Sequence, residues 1–208
     1  MQLPLFPLNT VLFPGGVLSL RVFETRYIDM VTQCLRELST FGVCSLAANE
    51  AGGADGEGLA QGVGCEARIL SCDAPQPNLL QIRVLGLSRF RIVTTETQAN
   101  ALLLAHIEPI APDHDSELTH AHKPCANLLA RVLLDLEAQT EKKRQTDATA
   151  EPPVLKPYQL NSSVWVGNRL CEVLQVPLKA KQKLMELDDA STRLDILTQY
   201  LKQHGVLK

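Results

Sequence analysis

The chain has 208 residues, 45% of them hydrophobic and 21% charged, enough apolar material for one large domain or two small ones. Twenty basic residues against 23 acidic ones give a net charge of −3 and a pI near 6.0, which excludes a global electrostatic pull toward nucleic acid or anionic membrane. No stretch approaches the roughly 18 uninterrupted apolar residues of a membrane helix, and Pro4, Pro7 and Pro14, with no basic residue before Arg21, spoil a signal peptide, so a cytoplasmic location is expected.

From the N-terminus, short apolar or alternating runs punctuated by turn residues predict strands at Leu3 to Leu8, Val17 to Phe23, Phe41 to Leu46, Gly62 to Cys72, Asn78 to Leu85, Ser88 to Thr95 and Leu102 to Ile110. Polar and apolar residues alternate in Leu80–Val84 and again in Arg89–Ile92, the pattern of strands with one wet and one packed face. That favours a small closed barrel over a doubly wound sheet. One helix interrupts the strands: Tyr27, Met30, Val31, Cys34, Leu35 and Leu38 line a single face at 3.6 residues per turn, and Glu24 or Thr25 is placed to cap it. The glycine-rich run Gly52–Gly58 has too little side chain to pack and predicts a mobile hairpin loop; its spacing misses the dinucleotide fingerprint and leads into a strand.

Charge chemistry changes near residue 112. All nine lysines lie at or after Lys123, whereas the first 111 residues carry seven arginines and no lysine. Residues 1–111 are therefore expected to form the strand-rich part and residues 112–208 a helical bundle. In the second part, Leu118, Cys125, Leu128, Leu129, Val132, Leu133 and Leu136 form an apolar stripe that ends before Glu141-Lys142-Lys143-Arg144, and Thr146 to Pro153 reads as a polar linker. Three further helices are expected: one capped by Ser162 or Ser163, one begun by Pro177, and one capped by Asp188 or Asp189.

The stretch Leu3-Pro4-Leu5-Phe6-Pro7-Leu8-Asn9-Thr10-Val11-Leu12-Phe13-Pro14-Gly15-Gly16-Val17-Leu18, running into Leu20-Arg21-Val22-Phe23-Glu24-Thr25-Arg26-Tyr27, closely resembles the opening signature of the N-terminal domain family of Lon proteases. Gly64–Ile69, Val84–Ile92 and Leu184–Leu194 resemble later strands and the final helix pair of that family. The resemblance implies an α+β fold: a six-stranded PUA-like β-barrel with one inserted helix, followed by a C-terminal α-helical bundle. It also implies a substrate-binding module that recognises unfolded or extended polypeptide, or a protein partner, without a cofactor. Thr25 departs from the family pattern, standing where many relatives place a proline.

No catalytic machinery is expected within these residues. The sequence contains no Gly-Lys dipeptide, hence no phosphate-cradling P-loop, and no serine sits in a recognisable nucleophile motif. His120, His122 and Cys125, with His114, Asp113 and Asp115 nearby, offer zinc-type ligands in a spacing that matches no standard finger or ribbon, and a polar helix start is the simpler reading. The six cysteines form no C-x-x-C pair and read as reduced; Cys34 and Cys44 fall on apolar faces, where thiols are inert. His106 alternates with Leu102 and Leu104 in a strand, and Trp165 is expected to fill core space beside Val166, the alternative being a partner anchor.

Two functions from different classes remain: polypeptide recognition, and RNA binding as practised by other PUA-like barrels, for which Arg83, Arg89 and Arg91 are the local argument. With aromatics only 4% of the chain, stacking recognition lacks material, and nucleic acid is the lesser expectation. The expected binding surface combines the apolar turn at Phe13 and Pro14 with Arg26, Asp29 and Gln33, which fall off the apolar stripe of the first helix. An apolar turn is either folded onto the core or available to a partner.

Overall fold

The computed structural model describes residues 1–45 and 62–207. In chain order its elements are β1 (Gln2–Leu8), β2 (Val17–Val22), α1 (Thr25–Glu37), β3 (Phe41–Ser45), β4 (Val63–Gln76), β5 (Leu79–Thr97), β6 (Leu103–Pro109), α2 (Lys123–Arg144), α3 (Ser163–Val173), α4 (Leu178–Glu186) and α5 (Ala190–Gln203). The predicted loop Gly52–Gly58 lies outside the described residues. Two compact units result: Met1–Pro112 with Pro177–Glu186, and Asp113–Val176 with Leu187–Lys208. The sequence division at 111/112 falls beside the first boundary, but it leaves α4 with the helices, whereas the structure places α4 with the strands.

The first unit is a mixed six-stranded sheet in the order β2-β5-β4-β3-β1-β6, with a further pairing between β5 and β6. Among the described strands only β1 and β3 run parallel, Leu5 opposite Gly42 and Leu8 opposite Ser45. Because β6 pairs with both β1 and β5, the path β5–β4–β3–β1–β6 closes on itself. Strand alternation explains why β1 is buried on two sides. Leu3 and Leu5 join Cys44, Phe90, Ile92, Ala105 and Ile107 in one apolar cluster, while Phe6 joins Val22, Tyr27, Met30, Val31 and Phe41 in the other, beneath α1. The tip of the Phe90 ring abuts two glycines: a Cβ on Gly42 or Gly64 would come within 2.6 or 2.4 Å of its Cζ.

Seven strands were expected and six are formed among the described residues, because the fifth and sixth candidates are one strand. β5 runs 19 residues through Gly86, its first half paired with β2 and its second half with β6. Glycine reads locally as a break, yet here its missing side chain admits the turn at Phe13: a Cβ on Gly86 would sit 2.4 Å from the Phe13 carbonyl oxygen. α4 is tied to the sheet by Gln182, whose amide donates to the Val63 carbonyl (2.9 Å), and by Arg89, which donates to the Met185 carbonyl (2.8 Å). Neither contact has a periodic signature in the sequence.

In the second unit, α3 packs against both α2 and α5. Cys125, Leu129 and Leu133 of α2, Val166 and Leu170 of α3, and Leu194, Leu197 and Leu201 of α5 are buried. The predicted caps are formed: Ser162 Oγ accepts the Trp165 N–H (2.9 Å) and Asp189 Oδ2 accepts the Thr192 N–H (2.6 Å). Asp115 adds a second cap on α3, accepting from the Ser162 hydroxyl (2.9 Å) and the Val164 N–H (3.2 Å). α2 starts after Leu118 and continues through the charged run to Arg144, where Lys142, Lys143 and Arg144 suit the negative end of the helix dipole. The fully buried Arg193 donates to Asp113 (2.7 Å) and to the Leu187 carbonyl (2.8 Å).

Candidate functional site

The residues expected to form a binding surface part company in the structure. The turn between β1 and β2 folds inward: Phe13 is 0% exposed and Leu12 is buried, while Pro14 is half-buried. Its backbone explains why. The Gly15 N–H donates to the Gly86 carbonyl and the Gly86 N–H to the Gly16 carbonyl, both at 2.8 Å, so the turn is fastened across β5 and Phe13 points into the core. Of the two readings of an apolar turn, the structure selects the core one. Phe13 therefore presents no surface to a partner.

On α1, Asp29 and Gln33 are exposed, Gln33 donating to Glu37 one turn on (3.2 Å). Arg26 is half-buried and already engaged: it donates to Glu24 (2.6 Å) and to the Ala101 carbonyl (2.9 Å), and its guanidinium lies 4.8 Å from the Tyr27 ring centroid. Glu24 occupies the N-cap position but makes no side-chain cap bond, because its carboxylate faces Arg26 instead. The expected cap is thus an ion pair.

The three arginines behind the RNA alternative also separate. Arg89 is only 4% exposed and holds α4 through the Met185 carbonyl, Arg83 is half-buried, and Arg91 alone is exposed. Burial lowers the Arg83 pKa.

Groups that suggested chemistry are spent on structure. His122 is buried, its Nε2 lying 2.7 Å from Asp195 Oδ1 and its Nδ1 3.1 Å from Thr119 Oγ1; Cys125 Sγ lies 3.2 Å from Thr198 Oγ1. These contacts tie α2 to α5. Among the described residues no group of three or more His, Cys, Asp or Glu side chains is placed to hold a metal ion. All six cysteines are free thiols, and burial pushes the Cys44 thiol up to about 12, leaving almost no nucleophilic thiolate at neutral pH. His106 is exposed, within 3.2 Å of Gln2. Trp165 is half-buried, its ring 5.9 Å from that of Tyr158.

A cleft of about 580 Å³ in the second unit is lined by Leu134, Glu137, Arg144, Lys156 and Tyr158 among others. Its polar groups satisfy one another: Glu137 accepts from Tyr158 (2.6 Å) and Lys156 (2.8 Å). Burial, then the Glu137 carboxylate, pushes the Tyr158 hydroxyl up to about 12.

Sequence reading missed Phe23. It is 67% exposed, directly after β2, and its position two residues beyond the exposed Arg21 was the signal available for an outward direction.

Comparison with known proteins agrees with this fold. Residues 2–203 match the family described as the ATP-dependent protease La (LON) substrate-binding domain. The chain is 26% identical to Lon protease 2 of Myxococcus xanthus and 25% identical to the Lon protease of Anaeromyxobacter dehalogenans, in each case over 99% of this chain but only 24% of the relative. It thus spans about a quarter of the length of these curated relatives. Among solved structures, the Lon N-terminal domain protein from Xanthomonas campestris superposes with a TM-score of 0.73 at 34% identity, covering 96% of this chain and 98% of that one. The N-terminal domain of the Mycobacterium avium complex Lon protease superposes with a TM-score of 0.61 at 15% identity, covering 98% and 100%, and speaks for the fold. With every described element inside the matched span, the chain belongs to the Lon substrate-binding domain family.

Proposed function

We propose that the chain is a non-catalytic recognition module for unfolded or extended polypeptide, working without a cofactor. The observation that carries this reading is the family match over residues 2–203, which takes in both units and leaves little of the chain for anything else. The closed path of strands is read as a small PUA-like barrel, and the second unit as the helical bundle that accompanies it. The recognition surface is assigned to the first unit, on the outward side of α1, where Asp29 and Gln33 are exposed and Arg26 forms part of the rim. Six free cysteines suit a reducing, cytoplasmic setting. RNA binding is the weaker reading because Arg89 is buried in a structural contact.

The test is a titration of the chain against a labelled, reduced and carboxymethylated protein, against the folded form of that protein, and against a labelled single-stranded RNA. Binding of the unfolded form alone is expected. Tight, salt-sensitive binding of the RNA in place of the unfolded protein would overturn the reading.

A further inference from the structure

β2 differs from every other described strand in having a single partner. It pairs with β5 from Val17 opposite Leu85 to Val22 opposite Leu80, whereas β1, β3, β4, β5 and β6 each have two or more neighbours. The direction of its remaining backbone groups follows from the turn before it. The Gly86 N–H donates to the Gly16 carbonyl, which fixes that pair as hydrogen-bonded. Antiparallel pairs alternate, so Leu18, Leu20 and Val22 bond to β5, while Val17, Ser19 and Arg21 aim their N–H and C=O groups away from it. No backbone hydrogen bond to residues 17–22 from outside the β2–β5 ladder is formed among the described residues.

Natural sheets generally blunt such an edge with charge, proline or a covering element. This one carries a single charge, Arg21, which is exposed and has no ion-pair or hydrogen-bonding partner among the described residues. Leu18 and Leu20 are half-buried, and the run ends at the exposed Phe23. A row of donors and acceptors at strand spacing is complemented by another extended backbone, an aromatic ring at its end by an apolar side chain, and an unpaired guanidinium by a carboxylate.

We propose that β2 is a strand-addition site: an extended client segment pairs with the open edge through Val17, Ser19 and Arg21, sets an apolar side chain against Phe23 and an acidic one against Arg21. This rests on the proposed polypeptide-recognition function and specifies how that recognition is made. It also moves the anchor from the buried Phe13 to Phe23.

The experiment uses the full chain and two probes: the carboxymethylated protein, and an extended synthetic peptide that alternates leucine with serine and carries one glutamate. Methylating alternate peptide amides on one phase should weaken binding about tenfold, and on the other phase should leave it unchanged, because only one phase faces β2. Ser19→Pro removes an outward N–H that makes no bond to β5, and with Phe23→Ser it should lower affinity for both probes about tenfold at an unchanged melting temperature. Arg21→Glu should reverse the preference toward a peptide carrying lysine in place of glutamate. If Ser19→Pro fails to fold, the methylated peptides on the parent chain decide the matter. Should both methylation phases and all three variants bind like the parent, the edge is not the site and strand addition is wrong, although polypeptide recognition stands. Should the parent be a dimer that Ser19→Pro dissociates without loss of peptide binding, a second copy occupies the edge and the proposal fails. If the parent binds neither probe, polypeptide recognition itself fails.

Discussion

Phe13 illustrates how one side chain changes role between sequence and structure. An apolar residue in a turn suggests a contact for a partner, but the hydrogen bonds from Gly15 and Gly86 bring this turn down on β5 and seal the ring inside. Phe13→Ala is accordingly expected to cost about 3–5 kcal/mol of stability, measured by urea denaturation, while the folded fraction binds client as before. Asp115 makes a different kind of contribution. Burial, the largest single influence, pushes its carboxyl up, yet hydrogen bonds from Ser162, Val164, Ser163 and Ser116 together outweigh it and hold the pKa below the ordinary 3.8. A carboxylate depressed in the folded state adds stability that is complete above the unfolded value and is lost as pH falls through the folded one. Asp115→Asn should therefore cost about 1 kcal/mol at pH 7, and the gap in melting temperature from the parent should narrow below about pH 4. A gap unchanged at pH 3 would show that the carboxylate charge contributes nothing to the cap.

At the scale of elements, Gly86 is the point where β5 changes partners and where the turn at Phe13 approaches most closely. Gly86→Val should destabilise the chain by about 1–3 kcal/mol or more, since backbone rather than a flexible side chain must give way; a melting temperature equal to that of the parent would contradict the packing described. The elements themselves were largely legible. Helix α1 follows from a stripe at 3.6-residue spacing, of which Tyr27, Met30, Val31 and Cys34 are buried while Leu35 is exposed and Leu38 ends the helix in an exposed left-handed conformation; the caps of α3 and α5 follow from Ser162 and Asp189, and β1 to β3 from short apolar runs between turn residues. What was illegible depended on distant partners. Continuity of β5 through Gly86 requires the turn some 70 residues earlier, the burial of Arg89 requires the Met185 carbonyl 96 positions away, and the placing of α4 rests on Gln182 reaching Val63 across 119. The candidate surface was half legible: Asp29 and Gln33 are exposed as their helix phase implied, whereas the apolar turn at Phe13, open to either reading in the sequence, is buried, and the exposed Phe23 was not singled out.

For the whole molecule, the near-neutral charge and the shared family point the same way. At a net charge of −3 the chain exerts little long-range pull on a charged partner, so client binding should vary little between low and moderate salt. No helix is long and apolar enough to cross a membrane among the described residues. Polypeptide recognition by the strand unit is tested most directly by hydrogen–deuterium exchange of the full chain with and without a saturating carboxymethylated protein. Slower exchange is expected in Val17–Phe23 and the outward side of α1, with the amides of α2, α3 and α5 unchanged; protection confined to those three helices, or none anywhere, would contradict it.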